Sequence, residues 1–272
     1  MGQIKHTKVS SRNESFVDKT KTRIWQEIPE KNNPYIAEQS LCHGYDIEEL
    51  IQHQSFIDVF YLLFRGELPN TDQAQLLQQL MIALINPGPR HPATRAAMNA
   101  GVGKSDTVHI LPIALAIMGG GYQGAGNIEA SMRFLRKQLK KNPEEIAQQL
   151  LESEAAPEQG DWEIAPGFGR HFGGIDIMPA KLAEQLLTLP GSGKCLEWGH
   201  QFACALGGQG MGWYITGLAA AVYADLGFQP RMGAGLFQLM RAPGLLAHGI
   251  ELANKPTTAM PFIKDEHYVI EK

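Results

Sequence analysis

Three short stretches of this 272-residue chain gather side chains able to do chemistry. In GGGYQGAGNIE (119–129), Gln123 sits in a glycine-rich turn. Its amide can donate a hydrogen bond to an oxyanion but cannot shuttle a proton near neutral pH. In GFGRHFGG (167–174), the permanent cation of Arg170 stands beside His171, and imidazole is the side chain that ordinarily titrates nearest neutrality. In RAPGLLAH (241–248), Arg241 and His248 are seven residues apart, which on a helix puts them near one face, although Pro243 and Gly244 can bend the approach. A guanidinium matches a carboxylate in bidentate fashion. Side chains of these kinds suit a carboxylate or a developing oxyanion.

Other motifs are decoys. Gly119, Gly121 and Gly124 satisfy GxGxxG, but a dinucleotide turn needs a βαβ setting and an acidic residue about 20 positions on. This chain has Lys140-Lys141 there and reads as helical on both sides. GVGKS (101–105) and GSGKC (191–195) imitate a P-loop tail, yet the required first glycine falls on Met98 and Thr188, and Cys195 replaces the magnesium-binding hydroxyl. The nine histidines form no HxxxH or HxxEH cluster, so no metal site is expected.

The totals narrow the classes further. With 24 basic and 28 acidic side chains the formal charge is −4, which argues against nucleic acid as the main partner. The densest basic run, Arg133, Arg136, Lys137, Lys140 and Lys141, reads first as a solvated helix face and second as a polyphosphate-contacting edge. Cys42, Cys195 and Cys204 are widely spaced and odd in number, which favours a reducing compartment over a disulfide framework. The polar N-terminus has no apolar signal region, and no apolar run reaches the roughly 18 residues of a membrane span. A soluble, cytoplasmic protein without membrane partners is the expectation.

Helical periodicity positions these residues. Thr71 opens a helix with Leu76, Leu77, Leu80, Met81, Leu84 and Ile85 on one face, closed by Pro87-Gly88. Ser55 opens another that Gly66 and Pro69 stop. Further helices are expected near 92–100, 107–118, 128–141, 143–153, 178–188, 194–206, 212–226, 231–240 and 244–254. The stretch 155–167 reads as the most exposed loop. Alternating β-branched runs are nearly absent, so the fold class is all-α. A helix as apolar as TVHILPIALAIM (107–118) must be buried, which suits a subunit interface and a twofold dimer.

HGYDIEELIQHQSFIDVFYLLFRGELP (43–69) and GLFQLMRAPGLLAHGIE (235–251) resemble the opening and closing signatures of the citrate synthase superfamily, which includes the citryl-CoA lyase modules. The resemblance spans roughly 35–255. It implies a large helical domain, about 1–123 and 218–272, interrupted by a small one at 124–217, with the active site in the cleft between them. It also implies a homodimer, a CoA thioester as substrate or ligand with no permanently bound cofactor, and carbon–carbon bond formation or cleavage. By the same resemblance Arg241 holds a substrate carboxylate and His248 stands near it. The backbone of Pro166, Gly167, Phe168 and Gly169 would lie against the adenine end of CoA.

Four positions depart from the family's pattern. Gln123 occupies the place of a catalytic histidine. Arg170 and His171 stand in reversed order to the family's histidine–arginine pair. Thr216 replaces the aspartate base, and a substrate-binding histidine falls near Asn86-Pro87. Two readings follow: an enzyme on an acyl-CoA or related carboxylate with a rearranged site at Gln123, Arg170, His171 and Thr216, or a non-catalytic paralogue that binds such a ligand as a regulatory or structural subunit. A third, a dinucleotide oxidoreductase, would need a parallel sheet. The first predicts that Arg170, His171, Gln123 and Arg241 converge on one pocket.

Overall fold

The computed structural model describes residues 18–153, 157 and 160–271. The chain forms two compact units, Met1–Ser55 and Phe56–Lys272. In the first, strands β1 (Trp25–Pro29), β2 (Ala37–Cys42) and β3 (Tyr45–Asp46) form an antiparallel sheet in that order, followed by helix α1 (Ile47–His53). The two-residue turn between β2 and β3 uses His43 and Gly44, both at positive φ. Asp46 then caps α1 by accepting from the Glu48 N–H at 2.7 Å.

The second unit contains α2 (Phe56–Arg65), α3 (Thr71–Leu84), α4 (Pro92–Val102), α5 (Ile110–Met118), α6 (Ile128–Gln138), α7 (Pro143–Ser153), β4 (Trp162–Ala165), β5 (Phe168–Arg170), α8 (Ile177–Leu187), α9 (Lys194–Leu206), β6 (Gly212–Trp213), α10 (Ile215–Asp225) and α11 (Pro230–Ala253). The fold is mostly helical, with antiparallel sheets β1-β2-β3 and β4-β5-β6 as its minor component. At the centre runs α10, whose residues from Thr216 to Tyr223 are all buried. Its small alanines and glycine let α6, α9 and α11 pack closely around it. Phe168 on β5 lies 4.5 Å from the Trp213 ring and 4.8 Å from the Phe202 ring, so the small sheet anchors in the core through one aromatic cluster.

Several boundaries differ from those read in the sequence. Asn70, not Thr71, caps α3, in a reciprocal capping box with Gln73. Part of the expected loop 155–167 is strand β4; residues 155, 156, 158 and 159 lie outside the described residues. The expected helix at 212–226 begins as β6. The helix expected from 107 starts as a 3-10 turn, Thr107–His109. The two helices placed at 231–240 and 244–254 are one, because α11 runs on through Pro243. Proline has no N–H for the ladder, and the next N–H, that of Gly244, donates to the Ile85 carbonyl at 2.9 Å. A Cβ on Gly244 would lie 2.6 Å from the Asn86 Cα, so only glycine admits this crossing.

Candidate functional site

The turn before α6 is built backbone on backbone. A Cβ on Gly126 would come within 3.0 Å of the Gly120 carbonyl oxygen. Gln123 adopts φ 51, a left-handed conformation uncommon outside glycine. Its carbonyl meets His91 Nε2 at 3.3 Å. His91 also caps α4, its Nδ1 accepting from the Ala93 N–H at 3.1 Å. With Nδ1 an acceptor, the proton sits on Nε2 and donates to Gln123. Burial pushes the His91 pKa down, the bond to Gln123 opposes that, and the Arg241 charge adds to the lowering. His91 is therefore a neutral, fixed donor.

Gln123 borders two cavities. The first, about 320 Å³, is lined by His91, Gln123, Asn86, Asp176, Ile215 and Arg241, among others. Arg241 is only 6% exposed, and among the described residues no carboxylate pairs with it. Its Nε has no partner among the described residues, and its guanidinium lies over the Phe237 ring at 5.1 Å. Burial lowers its pKa to about 10, against a smaller opposing effect of Tyr223. It is still a cation at neutral pH, and a buried cation without a counter-ion is costly. The cavity beside it suits a carboxylate. Asn86, which accepts the Gly88 N–H at 2.8 Å through Oδ1, points its amide nitrogen at His248 Nε2, 3.2 Å away. His248 thus braces Asn86 and is not among the residues lining the cavity.

The second cavity, about 210 Å³, is lined by Tyr122, Gln123, Asn127, Asp161, Glu163, His171, Tyr214 and Thr216 together with Gly121. His171 stacks on the Tyr214 ring at 4.0 Å and 15°, and its Nδ1 meets Asp161 Oδ2 at 3.1 Å. Asp161 Oδ1 accepts from the Phe172 N–H at 2.7 Å, the largest of several influences that lower the Asp161 pKa. The Tyr214 hydroxyl shares its proton between the carbonyls of Trp162 and Arg170, each 3.0 Å away. Asn127 donates to the Glu163 carboxylate, whose Oε1 also accepts the Gly167 N–H at 3.2 Å.

The expected convergence on one pocket is therefore partial. Gln123 lines both cavities, Arg241 lines the first, and His171 and Thr216 line the second. Arg170 lines neither: its guanidinium donates to the Pro157 carbonyl at 3.1 Å and lies over Trp162 at 5.6 Å. Successive residues of an extended chain face opposite ways, so Arg170 and His171 point to different sides of the small sheet. In the Pro166–Gly169 loop, Phe168 is consumed by the core, and Gly167 and Gly169 are buried where backbone approaches backbone. Pro166 is the partly exposed member. Sequence reasoning missed His91, Asp161, Tyr122, Glu163, Tyr214 and Asp176; only the helix-opening His91-Pro92 carried a signal, as a cap. The basic run on α6 borders a separate groove of about 540 Å³, lined by Arg133, Arg136, Gln229, Pro230 and Arg231. There Arg133 pairs with Glu129 one turn away, as a solvated face would. Among the described residues no cluster of His, Cys, Asp or Glu could hold a metal ion, and no helix is long and apolar enough to cross a membrane.

Residues 30–142 match the model of the citrate synthase C-terminal domain. No curated protein matches the chain. Among solved structures the chain is similar to citryl-CoA lyase from Hydrogenobacter thermophilus, at 24% identity and TM-score 0.75, over 93% of this chain and 94% of that one. It is similar to ATP citrate lyase from Methanosaeta concilii, solved in complex with (3S)-citryl-CoA, at 16% identity and TM-score 0.69, over 93% of this chain and 43% of that one. Citrate synthase from Thermoplasma acidophilum, solved with carboxymethyl coenzyme A and oxaloacetate, is similar at 20% identity and TM-score 0.59, over 80% of this chain and 57% of that one. The chain thus spans less than half of the ATP citrate lyase it matches.

Proposed function

We propose that this chain, which matches the citrate synthase C-terminal domain model over residues 30–142 and shares the fold of citryl-CoA lyase, is a carbon–carbon lyase or transferase module acting on a CoA thioester or a related carboxylate, with a rearranged site. The observation that carries this reading is Arg241, a buried guanidinium with no carboxylate partner among the described residues, set in a cavity beside the His91 donor and Gln123. A substrate carboxylate in that cavity supplies the missing charge, and Gln123 can donate to an oxygen on which charge develops. Thr216, at the place of the family's base, cannot take up a proton near neutral pH. Ordinary citrate synthase activity is not part of the proposal. The division into a large domain (1–123 and 218–272) and a small one (124–217) around a cleft, CoA contact at Pro166–Gly169, and a homodimer belong to the same proposal.

Calorimetric titration with citrate and with CoA, beside an assay for CoA release or for citrate formation from acetyl-CoA and oxaloacetate, tests it. Arg241→Gln should weaken carboxylate binding by about 1.5–3 kcal/mol, the range for a charged hydrogen bond. Undiminished binding in that variant defeats the reading. Gln123 and Thr216, neither able to carry a proton, favour a second reading, a non-catalytic paralogue, which predicts ligand-dependent stabilisation with no turnover of any thioester.

A further inference from the structure

The groove beside α6 holds charge that a solvated helix face does not explain. Its charged lining residues are Arg133, Arg136 and Arg231, all cations, in a chain whose acidic side chains outnumber its basic ones. Two helices supply them, Arg133 and Arg136 from α6 and Arg231 from α11. Arg133 has a counter-ion, because Glu129 Oε1 accepts from its Nε at 2.9 Å and its Nη2 at 2.6 Å. Glu129 is not among the lining residues, and Arg133 Nη1 has no acceptor among the described residues. Arg136 donates through Nη2 to the Phe228 carbonyl at 2.7 Å, a neutral partner that orients the guanidinium and leaves its charge unbalanced. Arg231 has no ion-pair partner among the described residues.

Like charges gathered in one concavity repel each other and focus their field there, so the groove concentrates anions. Guanidinium forks match phosphate oxygens, each of which accepts from more than one N–H. Three cations against the Glu129 carboxylate leave two positive charges, which a single carboxylate cannot neutralise and a diphosphate group can. The groove also stands apart from the loop at Pro166–Gly169. A Cβ on Gly167 would meet Ser131 Oγ at 3.0 Å, so Ser131 marks the side of α6 that faces that loop. At roughly 100° per residue, Arg136 and Arg133 lie about 140° and 160° around the helix from Ser131.

We propose that this groove is a second anion site, which binds a diphosphate group through Arg133, Arg136 and Arg231. It shares no lining residue with the two cavities around Gln123, so it stands independently of the carboxylate reading.

Calorimetric titration of the full chain with pyrophosphate and with ADP tests it, in about 0.15 M salt to screen diffuse surface attraction. At least one of them should bind ten-fold or more tightly than inorganic phosphate, the worth of one further hydrogen bond to a charged group. Pyrophosphate at least as tight as ADP identifies the free diphosphate as the ligand; tighter ADP identifies a nucleotide that carries it. Arg231→Gln should weaken the binding by about ten-fold or more, on the same reckoning. Arg133→Gln gives the same test if Arg231→Gln does not fold. Lys140→Gln removes a cation of the same basic run that does not line the groove, and it should leave the affinity in place. Arg241→Gln should leave it in place as well, while citrate binding should respond to Arg241→Gln and not to Arg231→Gln. The proposal is overturned if neither ligand binds more tightly than phosphate. Binding that falls as far in Lys140→Gln as in Arg231→Gln, or that is lost in Arg241→Gln instead, overturns it too.

Discussion

At the scale of single residues, the site holds its charges against the ordinary preferences of a protein interior. Arg241 illustrates the cost. Its pKa is lowered by burial, so the native state holds that proton less tightly than the unfolded chain does, and the charged form destabilises the fold throughout the neutral range. Arg241→Met should therefore leave the melting temperature unchanged or raise it in a thermal scan, while abolishing carboxylate binding. His91 gives the pH counterpart. Its lowered pKa means that the stability it contributes is intact above the ordinary imidazole value of about 6.5 and is lost as pH falls through its lower folded value. Urea unfolding at pH 7.5 and pH 5 should show the native chain losing more stability on acidification than His91→Asn, in which asparagine still caps α4. Of these residues, Arg241 and His171 were legible as chemistry in the sequence. Asp161 was not, because it lies ten positions before its partner and the juxtaposition is made by strand pairing, which no local motif encodes.

At the scale of elements, most helices were visible because their apolar period survives in the sequence, as in Leu76, Leu77, Leu80 and Leu84 of α3. The strands were not, since two or three residues such as Gly212-Trp213 are too few to show alternation. The continuity of α11 was hidden by Pro243, an exposed residue whose lost bond is offset by the neighbouring contact of Gly244 with Ile85. That contact also sets Asn86 in the wall of the Arg241 cavity. Gly244→Ala should destabilise the chain by about 2 kcal/mol or more through overpacking and displace Asn86, measurable by urea unfolding and by reduced citrate affinity. The lysine of the false P-loop has a plain role: Lys104 Nζ donates to the carbonyls of Ala253 at 2.8 Å and Lys255 at 2.7 Å, closing the C-terminal end of α11. The cysteine that spoiled the other opens α9, where the Cys195 and Leu196 N–H groups donate to Asp225 at 2.8 and 2.9 Å.

At the scale of the whole molecule, α5 and α11 pack together and leave Ile113, Ile117, Leu239 and Ile250 at the surface. Apolar side chains so grouped fit the self-complementary face of a twofold dimer. Light scattering at micromolar concentration should give twice the chain mass, and Ile117→Glu should give a monomer; a monomer in the unaltered chain refutes the assembly. A separate consequence lies in the crossing of Gly167 and Gly217. A Cβ on Gly167 would stand 2.5 Å from the Gly217 Cα, and the Gly167 carbonyl accepts the Tyr214 N–H at 2.9 Å. With no side chain between them to act as a cushion, the loop and the start of α10 form one mechanical piece, like two gear teeth in mesh. A displacement of Pro166 is therefore expected to reach Tyr214 and Thr216, and through Tyr214 the stacked face of His171.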